Sequence, residues 1–207
     1  SLAVAWPVFA RTAQAPGSRI VLDLPDIYKP APRFAGFIDQ PRGISIILTE
    51  FPAEAYEQVI QGMTPETLAT KGFTNTTVGK LERDDTHVYV TAEQASGGVA
   101  YAKFLLILRA PSATALVTVN VPKDHIVRGV ASAAEIALVL KTARVADAVA
   151  PEKPLFSLSY LGPFKRAGTL SGAATLYTLD GVLAPATPEP DRTVFIVAPS
   201  LDKRPIA

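Results

Sequence analysis

Apolar and polar residues alternate along much of the chain between residues 74 and 121. Turn residues at Asp84-Asp85, at Gly97-Gly98 and at Pro111 divide this stretch into four segments. The segments are residues 74–82, 87–93, 99–108 and 114–121. Because strands joined by short turns pair in antiparallel order, we predict a meander of four strands.

The residues before this meander add strands and helices to the pattern. Strands are predicted at residues 19–24, 33–38 and 44–50, and helices at residues 52–60 and 64–71. The 44–50 segment is nearly all apolar, which favours a central strand covered on both faces. After the meander, the Ala-rich residues 131–149 predict a long helix that ends before Pro151. The sequence therefore predicts an α+β domain over residues 16–150, an antiparallel sheet flanked by helices.

A similar pattern begins again in residues 151–207, after a proline-containing linker. Strands are predicted at residues 156–160, 172–179 and 193–200, and the last is an apolar strand that ends in proline, as residues 44–52 do. Two interpretations remain open for this region. It is either a partial second repeat of the domain or an extension of the same sheet by three strands.

Residues 1–15 have the layout of a secretory signal. An apolar stretch precedes Ala13-Gln14-Ala15, which places small residues at positions −3 and −1 of a cleavage site. We predict the tail of a signal peptide and a periplasmic or secreted protein. The alternative is an apolar arm packed on the body of the protein or on a neighbouring chain.

Composition excludes several classes of protein. Apolar residues make up 48% of the 207, which is enough for a packed core. The 20 basic and 19 acidic residues leave a net charge of +1, so no basic surface for nucleic acid is expected. The absence of cysteine rules out disulfides, thiolate nucleophiles and cysteine zinc sites. No run of 18 apolar residues is present, so no transmembrane segment is predicted.

Candidate chemistry is sparse. The two histidines are His87 and His125, and neither belongs to a recognisable nucleophile, phosphate-loop or metal motif. Asp84 and Asp85 precede His87, but paired aspartates at this position are typical of a hairpin turn. We therefore predict no catalytic residues, no metal and no cofactor. The alternative is a hydrolase-type enzyme that uses carboxylates such as Glu50, Glu93 or Asp85 for acid and base catalysis.

Two further groups of side chains are candidates for binding. Tyr28, Lys29, Arg33 and Arg42 bring cations and an aromatic ring near the first strands, and we predict them as a partner-binding patch. A second group of aromatic residues is expected in the core, with a ligand pocket as the alternative. This group contains Phe34, Phe37, Tyr56, Phe73, Tyr89, Tyr101 and Phe104.

The opening of the domain resembles the PsbP-like superfamily, which includes DcrB-like bacterial envelope proteins. Residues 19–25 followed by Tyr28-Lys29 are similar to the entry segment of these domains. The order of an apolar strand ending in Glu50-Phe51-Pro52, two helices, a long meander and a closing helix is also similar. The resemblance implies an α/β/α sandwich around an antiparallel sheet, and proteins that mostly bind or stabilise partners.

These observations favour a non-enzymatic, exported envelope protein. We expect a binding or accessory module whose partner is another protein or a small apolar ligand. A purely structural role in assembly, with self-association of the chain, is the alternative beside the enzyme.

Overall fold

A seven-stranded antiparallel sheet forms the centre of the protein in the computed structural model, which describes residues 10–81, 87–150, 158–170, 174–182 and 193–197. The strand order is β3-β4-β5-β9-β8-β7-β6. Its strands are β3 (Lys29–Pro30), β4 (Gly36–Asp39), β5 (Ile44–Phe51), β6 (Phe73–Gly79), β7 (His87–Ser96), β8 (Val99–Arg109) and β9 (Thr114–Pro122). The predicted meander is therefore present as neighbouring strands β6 to β9.

Alternation gives the sheet two apolar faces. Phe104, Leu106 and Leu108 of β8 point to one side, which we call the front face. Leu105 and Ile107 point to the other side, the rear face. This two-sided burial explains the nearly continuous apolar sequence of β8, because each face is covered by its own layer.

The front layer is a small second sheet together with a helix. The sheet has the order β1-β2-β10 and contains β1 (Ala10–Gln14), β2 (Ile20–Pro25) and β10 (Arg144–Val145). Helix α4 (Ala133–Lys141) packs beside it through Ile136 and Leu140. The helix begins at Ser132, whose hydroxyl accepts from the Glu135 amide.

The rear layer is shorter. It contains a 3-10 turn (Ala53–Ala55), α1 (Tyr56–Gln61) and α2 (Pro65–Ala69), which pack on Val90, Leu105 and Ile107. Helix α2 has the predicted start, with the Thr64 hydroxyl accepting from the Thr67 amide over 3.2 Å. A third helix, α3 (Lys123–Val127), follows β9, and its Ile126 packs on the front-face core.

A separate three-stranded sheet, β11-β12-β13, lies in the last part of the chain that is described. Its strands are β11 (Lys165–Leu170), β12 (Ala174–Thr178) and β13 (Val194–Val197). These strands form a sheet of their own and are not continuous with the seven-stranded sheet. Of the predicted strand at 156–160, residues 158–160 lie outside any strand, and residues 156–157 lie outside the described residues. Whether this region repeats the first domain stays a prediction.

Two predicted elements need correction. The segment predicted as the first strand of the central sheet, residues 19–24, instead forms β2 in the front layer. The predicted helix over 131–149 ends at Lys141, and residues 144–145 pair with β2 as β10. The Thr142 hydroxyl accepts from the Asp23 amide over 2.9 Å, which ties the helix end to β2.

Residues 10–15 pack on the body of the protein. Strand β1 pairs with β2 from Ala10 opposite Pro25 to Gln14 opposite Val21. Ala13 and Ala15, the small residues of the predicted cleavage site, are buried in the front-face core. The packed-arm alternative accounts for these residues, while residues 1–9 lie outside the described part of the chain.

The α+β fold class is confirmed, with an antiparallel sheet between a front layer and a rear layer. Of the seven aromatic residues predicted for the core, Phe37, Tyr56 and Phe104 are buried, and the other four, Phe34, Phe73, Tyr89 and Tyr101, are only partly buried. Within the described residues, no helix has the length and apolar character needed to span a membrane.

Candidate functional site

The rear face of the central sheet is only partly covered by the described helices. Helices α1 and α2 pack at the end that contains Leu105 and Ile107. Beyond that end, strand register places Ser45, Asn120 and Lys103 side by side on β5, β9 and β8. The next row along the same strands contains Ile47, Thr118 and Leu105, again side by side on β5, β9 and β8. We call the five residues Ser45, Ile47, Lys103, Thr118 and Asn120 the rear-face site.

Lys103 is the only charged residue of the rear-face site. It is partly buried, and burial lowers the pKa of its ammonium group. The ammonium lies 5.8 Å from the centre of the Phe73 ring, so its described contact is with an aromatic face. No carboxylate lies within ion-pair distance of it among the described residues. A partly desolvated cation without a counter-ion favours the arrival of an anion.

Asn120, directly opposite Lys103 in the register, is 8% exposed. Its amide nitrogen donates to Ser45 Oγ over 2.9 Å, which fixes the orientation of the side chain. Its Oδ1 atom is buried and has no hydrogen-bond partner in the structure. An unsatisfied buried acceptor costs about 1–3 kcal/mol, so such atoms in proteins call for an explanation.

The rear-face site therefore combines complementary binding groups. Lys103 offers a positive charge, Asn120 offers an acceptor, and Ser45 and Thr118 carry hydroxyls. Ile47 adds apolar surface, and Tyr101 lies two residues before Lys103 on the same face. A small molecule with both polar and apolar parts matches this mixture, and the site contains no nucleophile paired with a base.

The predicted partner-binding patch is divided by the fold. Tyr28 is 1% exposed and belongs to the front-face core, whereas Lys29 and Arg33 are exposed. The Arg42 guanidinium is bound to Asp39 and lies 3.1 Å from Glu135 on α4. Tyr28 and Arg42 thus lie together inside the protein, and Lys29 and Arg33 lie outside. Partner binding by these four residues stays a prediction.

Tyr28 has an unusual environment for a phenol. Its hydroxyl is buried without a hydrogen-bond partner, and the Arg42 guanidinium lies 6.0 Å from the ring centre. Burial raises the pKa of the Tyr28 hydroxyl strongly, and the nearby Arg42 charge offsets only part of that effect. The phenol is therefore neutral at physiological pH and contributes to the core as an aromatic ring.

The two described carboxylates of the enzyme alternative serve separate contacts. Glu50 accepts from Ser18 Oγ over 2.9 Å and from the backbone amide of Arg19 over 2.6 Å. It thereby connects the central sheet to the start of β2. Glu93 accepts from Lys123 and Asn75, and these bonds lower the pKa of its carboxyl. The third candidate, Asp85, lies outside the described residues.

The histidines are also placed by the fold. His87 is buried, and its Nε2 accepts from the Leu81 amide over 2.8 Å. His125 lies on α3, with Nε2 3.9 Å from an Asp124 carboxylate oxygen. In the part of the chain that is described, no three His, Asp or Glu side chains cluster as metal ligands do. Asp84 and Asp85, the other members of the predicted turn, lie outside that part.

Sequence analysis did not identify the rear-face site. Lys103 and Asn120 were placed in strands, but neither belongs to a motif. The available signal was a single lysine within an apolar strand and a single asparagine among valines on the next strand. The register that makes them neighbours depends on pairing between distant segments, which local patterns do not specify.

Comparison with known proteins finds similar folds and no sequence relative. No family model matches the chain, and no curated protein matches it. A crystal structure from Bacteroides thetaiotaomicron matches 67% of this chain at 15% identity, with a TM-score of 0.42. The match covers 49% of that protein, so the chain spans about half its length.

The solution structure of a cyanobacterial PsbP from Synechocystis is also similar. It matches 70% of this chain and 97% of its own length, at 13% identity and a TM-score of 0.41. This solved structure carries the name of the superfamily that the opening of the domain resembles. The site and its chemistry are described from the side chains of the chain itself.

Proposed function

We propose that the protein is a non-enzymatic binding module that holds a small ligand on the rear face of its central sheet. One observation carries this proposal: the buried, unpartnered Asn120 Oδ1 lies beside a lysine that has no described carboxylate partner. Binding sites are typically concave or sheltered surfaces with a few polar groups that fix orientation. The rear-face site offers such groups beside Ile47, on the part of the rear face next to the part that α1 and α2 cover.

A fragment screen followed by amide chemical shifts tests this proposal. Neutral, cationic and anionic fragments are added to the full chain, and we expect the shifts to centre on residues 45, 47, 103, 118 and 120. Thr118→Phe adds bulk at the middle of the site and should abolish these shifts. Thr77→Phe makes the same change at an exposed position of edge strand β6 and should not. Shifts confined to the front layer, or none from any fragment, would contradict the proposal.

We also propose that the protein works outside the cytoplasm, in the periplasm or as a secreted protein. The support is the signal-like layout of the apolar N-terminal stretch followed by Ala13-Gln14-Ala15; since Ala13 and Ala15 are buried in the front-face core, the proposal concerns export and not cleavage after Ala15. Fractionation of cells that produce the complete gene product tests this localisation. Recovery in the cytosol alone is the result that rejects export. The intact mass of the exported form then shows whether it retains residues up to Ala15.

A further inference from the structure

We propose that the rear-face site binds a small organic acid, with Lys103 pairing with its carboxylate and Asn120 Oδ1 accepting a hydrogen bond from a second group of the ligand. This inference rests on the proposed binding function and names the class of ligand. It depends on the juxtaposition of one charge and one acceptor on neighbouring strands.

The positive charge of Lys103 determines the sign of the charge that the ligand carries. It faces Phe73 and has no described carboxylate within ion-pair distance, so its charge is not neutralised by the described part of the fold. Its cross-strand neighbours on this row, Asn120 and Ala92, are uncharged. A single cation among neutral side chains suits a carboxylate with one negative charge better than a phosphate with two.

Asn120 determines the second feature of the ligand. Because its amide nitrogen is already bound to Ser45, the remaining atom is an acceptor, and a matching ligand must supply a hydroxyl or amine donor. Directly opposite residues on neighbouring strands have Cβ atoms about 4.5–5.5 Å apart. A donor a few bonds away from the carboxylate therefore fits both residues at once.

The apolar side chains around Lys103 and Asn120 determine the apolar part of the ligand. Tyr101 and Phe73 lie on the rear face on the Lys103 side of the site, and Ile47 lies on the other side. These side chains offer aromatic and aliphatic surface between the polar groups. A hydroxylated aromatic acid has the required combination of an anion, a donor and a flat apolar ring.

The test uses two probes of nearly the same shape, the anionic 3-hydroxybenzoate and the neutral 3-hydroxybenzamide. Both are titrated into the full chain while amide chemical shifts are followed. We expect the benzoate to bind about tenfold more tightly, since a hydrogen bond to a charged group is worth about that factor. Lys103→Met should reduce benzoate affinity to that of the benzamide, and Lys103→Arg should preserve most of the difference.

Two further variants make the interpretation specific. Asn120→Asp places a carboxylate opposite Lys103, so it should neutralise the charge and abolish benzoate binding while the fold is kept. Lys141→Met removes a partly buried lysine from α4, on the opposite side of the sheet, and should leave benzoate affinity unchanged.

The outcomes separate this inference from the proposed function. Equal affinity for the two probes, binding of neither probe, or benzoate binding that survives Lys103→Met would overturn the organic-acid inference. If neutral fragments still shift residues 45, 118 and 120, the binding function stands without it. If no fragment shifts the rear-face site, both fail.

Discussion

At the scale of single residues, two of the buried polar atoms in the described part of the chain lie in surroundings that imply different roles. Asn120 Oδ1 is buried on the partly covered rear face, opposite Lys103 and beside side chains that are only partly buried. The Tyr28 hydroxyl lies in the front-face core beneath α4, where its neighbours are apolar or belong to the Arg42 ion pairs. The same missing hydrogen bond therefore indicates a binding site in one place and a cost to stability in the other.

Tyr28→Phe tests the cost at the core position. Removing a hydroxyl that makes no hydrogen bond relieves its desolvation and keeps the ring, so we expect stability to be unchanged or to rise by about 1 kcal/mol. Tyr28→Ala is the contrasting variant and should lose about 3–5 kcal/mol through the cavity it leaves. Urea unfolding of the three proteins gives both values. A loss above about 1 kcal/mol for Tyr28→Phe would mean that the hydroxyl has a stabilising partner.

At the scale of elements, strand β1 covers one edge of β2 while β10 covers the other. Strand β10 is only two residues long, so β1 supplies most of the pairing that β2 receives. It also places Ala13 and Ala15 against the front-face core. Two residues of the predicted cleavage site, Ala13 and Gln14, thus lie in β1, and Ala15 follows it directly.

Deletion of residues 1–15 is expected to destabilise the protein much more than deletion of residues 1–9. The longer deletion removes β1, its hydrogen bonds and two buried side chains, at a cost of about 2–4 kcal/mol. The shorter deletion leaves every described residue in place. Urea unfolding compares the two. Equal stability of the two proteins would show that β1 contributes little to the folded state.

Local pattern predicted the strands of the central sheet better than it predicted their partners. Gly97 and Gly98 both adopt positive φ in the β7–β8 turn, as the hairpin prediction requires. In contrast, residues 144–145 lie in the segment predicted as helix and yet pair with β2, because tertiary pairing outweighs a weak local preference. The neighbouring placement of Lys103 and Asn120 has the same origin, since it depends on register between strands.

At the scale of the whole molecule, the two layers differ in how completely they cover the central sheet. The front layer is held on the sheet by a large apolar cluster. Two sets of polar contacts add to it. Glu50 accepts from Ser18 and Arg19, and Arg42 pairs with Asp39 and Glu135. The rear layer has short helices, and Ser45, Lys103 and Thr118 on the rear face are only partly buried. A well-packed front layer and a partly covered rear face suit a scaffold that presents one sheet face to a ligand.

The pairing of the chain around residue 17 with the chain around residue 150 has a mechanical consequence. The Gly17 amide donates to the Ala150 carbonyl and the Ala150 amide to the Ser18 carbonyl, each over 3.1 Å, and β10 continues this pairing along β2. Residues 15–19 connect β1 to β2, so these hydrogen bonds hold the chain at residue 150 against the β1–β2 connection. A pull on the chain beyond residue 150 would therefore load these hydrogen bonds and the β10–β2 pairing before it reached the seven-stranded sheet with its rear-face site.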